Sequence, residues 1–101
     1  MSNMYLKDLK EGQKRVDIRV LITKKFEPRT IKTRNGEEVK VVDCKVRDKE
    51  KTEGYLSLWR EQGDQFNVGD IVQVKNGFCS MYKGNINLTS GLYGKLEKVK
   101  K

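Results

Sequence analysis

Three aromatic side chains stand where a flat group could be stacked. Phe78 and Tyr82 are four residues apart in GFCSMYKGNINL, and Trp59 ends the short run YLSLW that begins at Tyr55. On a β-strand, alternate residues share a face, so Phe78, Ser80 and Tyr82 line up together, as do Tyr55, Ser57 and Trp59. The chemistry open to such rings is non-covalent: a planar base can lie on each for about 1–3 kcal/mol. A second cluster is cationic. KKFEPRTIKTRNG carries Lys24, Lys25, Arg29, Lys32 and Arg34 against a single acid, Glu27. Any one of these cations alone reads as part of a solvated hairpin, but together on one long loop they suit a polyanion.

Covalent and metal chemistry are poorly provided for. Histidine is absent, and the two cysteines, Cys44 and Cys79, form no CxxC pair, whereas a tetrahedral zinc site takes about four such ligands. Both cysteines fall at apolar positions and read as small core residues kept reduced. There is no P-loop and no nucleophile beside a base. Asp17, Asp43 and Asp48 read as solvated or paired acids rather than a Mg²⁺ site. No enzyme activity, metal or cofactor is expected.

The 101 residues allow one domain with a modest core. A formal charge of +8 and a pI near 9.6 favour anionic partners, with nucleic acid ahead of an acidic membrane surface. No apolar run approaches the roughly 18 residues of a membrane span, and MSNMYLKDLK lacks the features of a signal peptide. The expectation is a soluble, cytoplasmic protein.

The elements that must position the rings are strands. MYLKDLKEGQ reads as a short helical turn in which Tyr5, Leu6 and Leu9 cover one end of a core. KRVDIRVLITKKF alternates through Val16, Ile18, Val20 and Ile22, the pattern of a half-buried strand. Asn35-Gly36 marks a hairpin turn, after which Val42, Cys44 and Val46 resume the alternation. In YLSLW, Leu56 and Leu58 take the core phase, and REQGDQFNVGD connects to the strand IVQVKNGFCSMY. INLTSG supplies a fifth strand through Ile86 and Leu88, and the tail packs at Leu96 before fraying into lysines. Five short strands with one connector after the third suit a small Greek-key barrel, an OB-fold rather than an SH3-like barrel.

Phase decides where the rings point. With Leu56 and Leu58 inward, Tyr55 and Trp59 face out; with Cys79 and Met81 inward, Phe78, Ser80 and Tyr82 face out. That predicts exposed rings on neighbouring strands, at a cost of about 1.5–3 kcal/mol of burial for each large side chain. The alternative is that Asn76-Gly77 forms a bulge that flips the pleat and returns Phe78 to the core.

CKVRD, YLSLW, FNVGDIVQVKNGF and YKGNINLTSG, in this order and spacing, resemble the OB-fold single-stranded-DNA-binding proteins of archaea and single domains of archaeal replication protein A (replication factor A). The likeness covers roughly residues 5–98. It implies a five-stranded OB-fold with a short N-terminal helical turn, one nucleic-acid-binding domain over residues 1–101. It also implies protection of single-stranded DNA in replication, recombination and repair, in the cytoplasm at the nucleoid. Trp59, Phe78 and Tyr82 match the stacking residues, and Tyr55 lies beside them. Lys24, Lys25, Arg29, Lys32, Arg34, Lys45, Lys83 and Asn85 are placed to contact the backbone. The further aromatic that some members carry on the fifth strand is Thr89 here. Partners implied are single-stranded DNA and other OB-fold domains or replication protein A subunits. An OB module for RNA or tRNA and a protein-interaction OB domain remain open alternatives.

Overall fold

The alternation of Val16, Ile18, Val20 and Ile22 becomes strand β1, Lys14–Lys25, and all four side chains are buried. The computed structural model describes residues 5–82, 84–90 and 94–99. The side chain of Tyr82 also lies outside that description. Before β1, a 3₁₀ turn over Leu6–Asp8 buries Leu6, and Leu9 follows it into the core. Tyr5, expected to cover the same end, is exposed instead.

Strands β2, Arg29–Lys32, and β3, Glu38–Arg47, form a hairpin. Its turn is closed by the Gly36 amide on the Thr33 carbonyl at 2.9 Å, with Gly36 at φ +81°, the left-handed region open to glycine. Then come β4, Glu53–Trp59, and the single helical turn α1, Gln62–Gln65. Next are β5, Ile71–Tyr82, β6, Asn85–Thr89, and β7, Lys95–Val99.

The strands close in the order β1-β3-β4-β6-β5 and back to β1, a ring of five. Only β4 and β6 run parallel; the remaining pairs are antiparallel. This is the expected OB-fold barrel. Its interior is mostly aliphatic, with Val42, Val46, Leu56, Leu58, Val72, Val74 and Leu88 buried alongside Cys44, Cys79 and the ring of Phe66. Burial pushes the Cys44 thiol up to about 11 and raises that of Cys79, so both are held as inert thiols.

Two short strands lie outside the ring. The basic segment expected as a long loop contains β2, paired residue for residue with Val39–Val41 of β3 and its neighbours. The tail expected to fray forms β7, held against Ile71–Lys75 of β5. In β7 only Leu96 and Val99 are apolar, so backbone pairing and the ion pair Lys75–Glu97 at 3.0 Å carry it rather than alternation. Met81, expected inward beside Cys79, is 40% exposed, because β5 outruns the barrel and leaves it beyond the core.

A buried carboxylate fixes the end of the barrel where the chain enters. Asp48 accepts the amide of Leu6 at 2.8 Å, and those of Glu50 and Thr52 at 2.9 and 3.0 Å. It thereby ties the 3₁₀ turn to the turn between β3 and β4.

Candidate nucleic-acid interface

The orientation of Phe78 is set by two compensating bulges. Along β5 the inward residues are Val72 and Val74, and an unbroken pleat would carry that phase on to Asn76 and Phe78. Between Ile18↔Val74 and Val16↔Gly77, β5 contains one more residue than β1, and between Val16↔Gly77 and Lys14↔Phe78, β1 contains one more than β5. Asn76 and Arg15 sit at these places with φ of +52° and +56°. Asp17 Oδ1 accepts the Asn76 amide at 3.1 Å, which holds the first bulge. Beyond it the inward phase belongs to Gly77 and Cys79, and Phe78 is half-buried on the outer face. The bulge therefore turns Phe78 out; without it the ring would take the core phase.

Gly77 is required by this packing. A Cβ there would stand 2.5 Å from Val74 Cγ1 and 2.9 Å from the Thr89 carbonyl oxygen.

Strands β4 and β5 carry the same pattern, ring–serine–ring, as Tyr55-Ser57-Trp59 and Phe78-Ser80-Tyr82. They are not direct neighbours, contrary to expectation, since β6 runs between them. Asn87 of β6 joins the two serines. Its Nδ2 lies 3.2 Å from Ser57 Oγ and 3.5 Å from Ser80 Oγ. Ser57 Oγ donates in turn to Asp43 Oδ1 at 3.0 Å, and Asp43 accepts Arg29 Nε at 2.8 Å. A polar seam thus crosses five strands, from β2 to β5, with Tyr55 and Trp59 flanking it on β4 and Phe78 beside it on β5.

Ser57, expected to face solvent, is only 4% exposed beneath this seam. Its partners satisfy its hydroxyl, as burial of a polar group demands. The seam fixes the relative register of the strands that bear the rings.

Trp59 and Tyr55 are half-buried. The Trp59 amide donates to Gln62 Oε1 at 2.9 Å, which anchors the strand end to α1. Val41, directly opposite Trp59, has the outward phase of β3 but is buried between Arg29 of β2 and Trp59 of β4 in the pairing. Tyr55 has a further aromatic neighbour that sequence reasoning missed. The Phe26 ring centroid is 6.4 Å from that of Tyr55, tilted by 40°, and Lys24 Nζ sits 5.1 Å from the Phe26 centroid. The signal for Phe26 is an aromatic residue standing in an otherwise basic stretch. Lys14 was missed as well; it pairs with Phe78 in register, a relation visible only once β1 and β5 are aligned.

The expected cations divide. Lys32 and Arg34 are exposed on the hairpin, and Lys24 is exposed over Phe26. Arg29 is bound to Asp43, and Lys45 to Glu53 at 3.4 Å. Lys25 serves the scaffold: its ammonium donates to the carbonyls of Gly63 and Phe66 at 2.6 and 2.9 Å, capping the end of α1. Asn85 is exposed opposite Tyr82. Lys83 and the Tyr82 side chain lie outside the described residues. The three scattered acids each hold the scaffold together, with Asp17 at the bulge, Asp43 in the seam and Asp48 at the barrel end.

A family profile described as "Single-stranded DNA binding protein Ssb-like, OB fold" matches residues 10–98. The chain is 26% identical over 84 residues to the single-stranded DNA binding protein Ssb of Saccharolobus solfataricus, covering 83% of this chain and 55% of that protein. It therefore spans about 55% of the length of this curated relative. Among solved structures, a replication factor A related protein from Methanobacterium thermoautotrophicum superposes with a TM-score of 0.73 at 23% identity, covering 97% of this chain and 91% of the other. The second OB-fold domain of replication protein A from Methanococcus maripaludis gives 0.75 at 15% identity, covering 99% and 97%. These structural likenesses establish the shared fold. No helix among the described residues is long and apolar enough to cross a membrane.

Proposed function

Since the chain belongs to the Ssb-like OB-fold family of single-stranded-DNA-binding proteins, we propose that it binds single-stranded DNA, without catalysis and with little sequence preference. Bases stack on Trp59, Phe78 and Tyr82, with Tyr55 and Phe26 extending the surface. Lys24, Lys32, Arg34, Lys45, Lys83 and Lys14 offset phosphate charge, while Arg29 is held by Asp43 at the edge of the path. The observation that carries this reading is the bulge-directed outward phase of Phe78, half-buried on the same outer face as Trp59, across the polar seam. Stacking is tolerant of sequence because every base has a π-face. No helix of suitable length exists among the described residues to enter a duplex groove. The same reading treats the chain as one OB domain with its core over residues 5–98. It acts in the cytoplasm at the nucleoid, in replication, recombination and repair, alongside other OB-fold domains or replication protein A subunits.

Fluorescence anisotropy of labelled oligo-dT tests this. Binding should be saturable, outcompeted by unlabelled oligo-dT and not by duplex DNA. Its log affinity should fall with log salt by about 0.7 for each phosphate neutralised. Stronger competition by oligo-U than by oligo-dT would move the assignment to RNA. Absence of binding to either would leave the ring face to a protein partner.

A further inference from the structure

On another flank of the barrel lies a depression of about 250 Å³ between β1, the start of β5 and the turn after β3. Leu21 and Ile71, paired across β1 and β5 and half-buried, line it, and Arg47 lies opposite Leu21 on β3. Among the described residues four cations surround it, Arg19, Arg47, Lys49 and Lys51, against one acid, Asp48. That acid is turned to the three amides it accepts. The nearby acids are already engaged: Glu50 with Lys7 at 2.8 Å, Glu53 with Lys45 at 3.4 Å, and Asp70 with Lys98 at 3.4 Å. None of the four cations forms an ion pair among the described residues.

Two of them are held in place. Arg19 Nε donates to Gln73 Oε1 at 3.2 Å, and the buried Gln73 amide donates to the Val74 carbonyl. Lys51 takes φ +66° in a turn closed by its own amide on the Asp48 carbonyl at 3.0 Å.

We propose that this pocket docks an acidic peptide segment of a protein partner, with an aliphatic side chain entering between Leu21 and Ile71 and carboxylates meeting the four cations. Charge complementarity selects the ligand's sign, and the aliphatic lining selects its apolar part. A strand of nucleic acid fits less well, because none of the described residues lining the pocket is aromatic and a base would have no ring among them to stack on. The pocket is distant from Phe78, since Ile71 and Phe78 are seven residues apart along β5, roughly 23 Å at the rise of a strand, and it borders the Tyr55 side of the ring face, where Arg47 stands two residues beyond Lys45 on β3.

The probe is a short fluorescein-labelled peptide of aspartates and glutamates around a central pair of leucines. It should bind the wild-type protein, and more tightly than a peptide with serines in place of the leucines. The R47E/K51E variant should bind it at least about tenfold more weakly, while W59A binds it as wild type does. Saturating oligo-dT should leave the peptide bound. Circular dichroism establishes that each variant is folded, and R47E alone serves should the double variant not be. No binding, equal binding by the charge-reversed variants, no preference for the leucines, or displacement by oligo-dT would each overturn the proposal. The last outcome would make the pocket part of a nucleic-acid path.

Discussion

Trp59→Ala is expected to weaken oligo-dT binding by about tenfold, and Phe78→Ala by a similar factor, from the roughly 1–3 kcal/mol that a stacked base contributes. Both rings are half-buried, so truncation also removes some packing, and the effect must be separated from unfolding. The structure favours that separation. Trp59 is anchored through its backbone amide to Gln62, and the polar seam holds β4, β6 and β5 in register without either ring. Urea midpoints should therefore move far less than affinity does. With the two rings on different strands of the ring face, the double variant should lose about a hundredfold if the sites act independently. Unchanged affinity in a folded single variant would remove that ring from the interface.

Gly77→Ala is expected to destabilise the protein by about 1–3 kcal/mol, the range for forcing an extra methyl into a packed site. The new Cβ would meet Val74 Cγ1 at 2.5 Å and the Thr89 carbonyl at 2.9 Å. The valine can change rotamer, but the carbonyl belongs to β6, opposite Phe78, and yields only if the strands part. Stability and ring placement should thus fall together: the urea midpoint drops, and oligo-dT affinity falls further than in an equally destabilised variant at the core residue Val20, which carries no ring. An unaltered midpoint would mean that the bulge is loosely packed and does not set the direction of Phe78.

Much of the barrel is legible in the sequence because its signals are local. The run Val16 to Ile22 and the leucines of YLSLW each declare a face through period two, and Asn35-Gly36 declares a turn. The phase of Phe78 follows correctly from Cys79, but the effect of the bulge is the reverse of the one the sequence suggests. Asn76-Gly77 reads as a threat to the outward ring, whereas the phase of Val72 and Val74 shows that only the bulge puts it outside. The restraint on that bulge, Asp17, is 59 residues away in sequence, and no local pattern announces it.

The remainder of the candidate interface is hidden for the same reason. Asp43, Ser57, Ser80 and Asn87 are ordinary polar residues on four strands, and their seam exists only after β6 is placed between β4 and β5. Lys25 reads as one more cation for a polyanion, yet its amine is engaged by two carbonyls of the connector after β4. Charge counts locate a basic segment; only geometry tells which cations are left to meet a ligand.

If bases lie on these rings, Trp59, the only tryptophan in the chain, reports it directly. Its emission should be quenched saturably as oligo-dT is added, with the same midpoint as anisotropy of the labelled oligonucleotide, and should recover when salt releases the DNA. Oligo-dT that binds by anisotropy while leaving the emission of Trp59 unaltered would contradict the account.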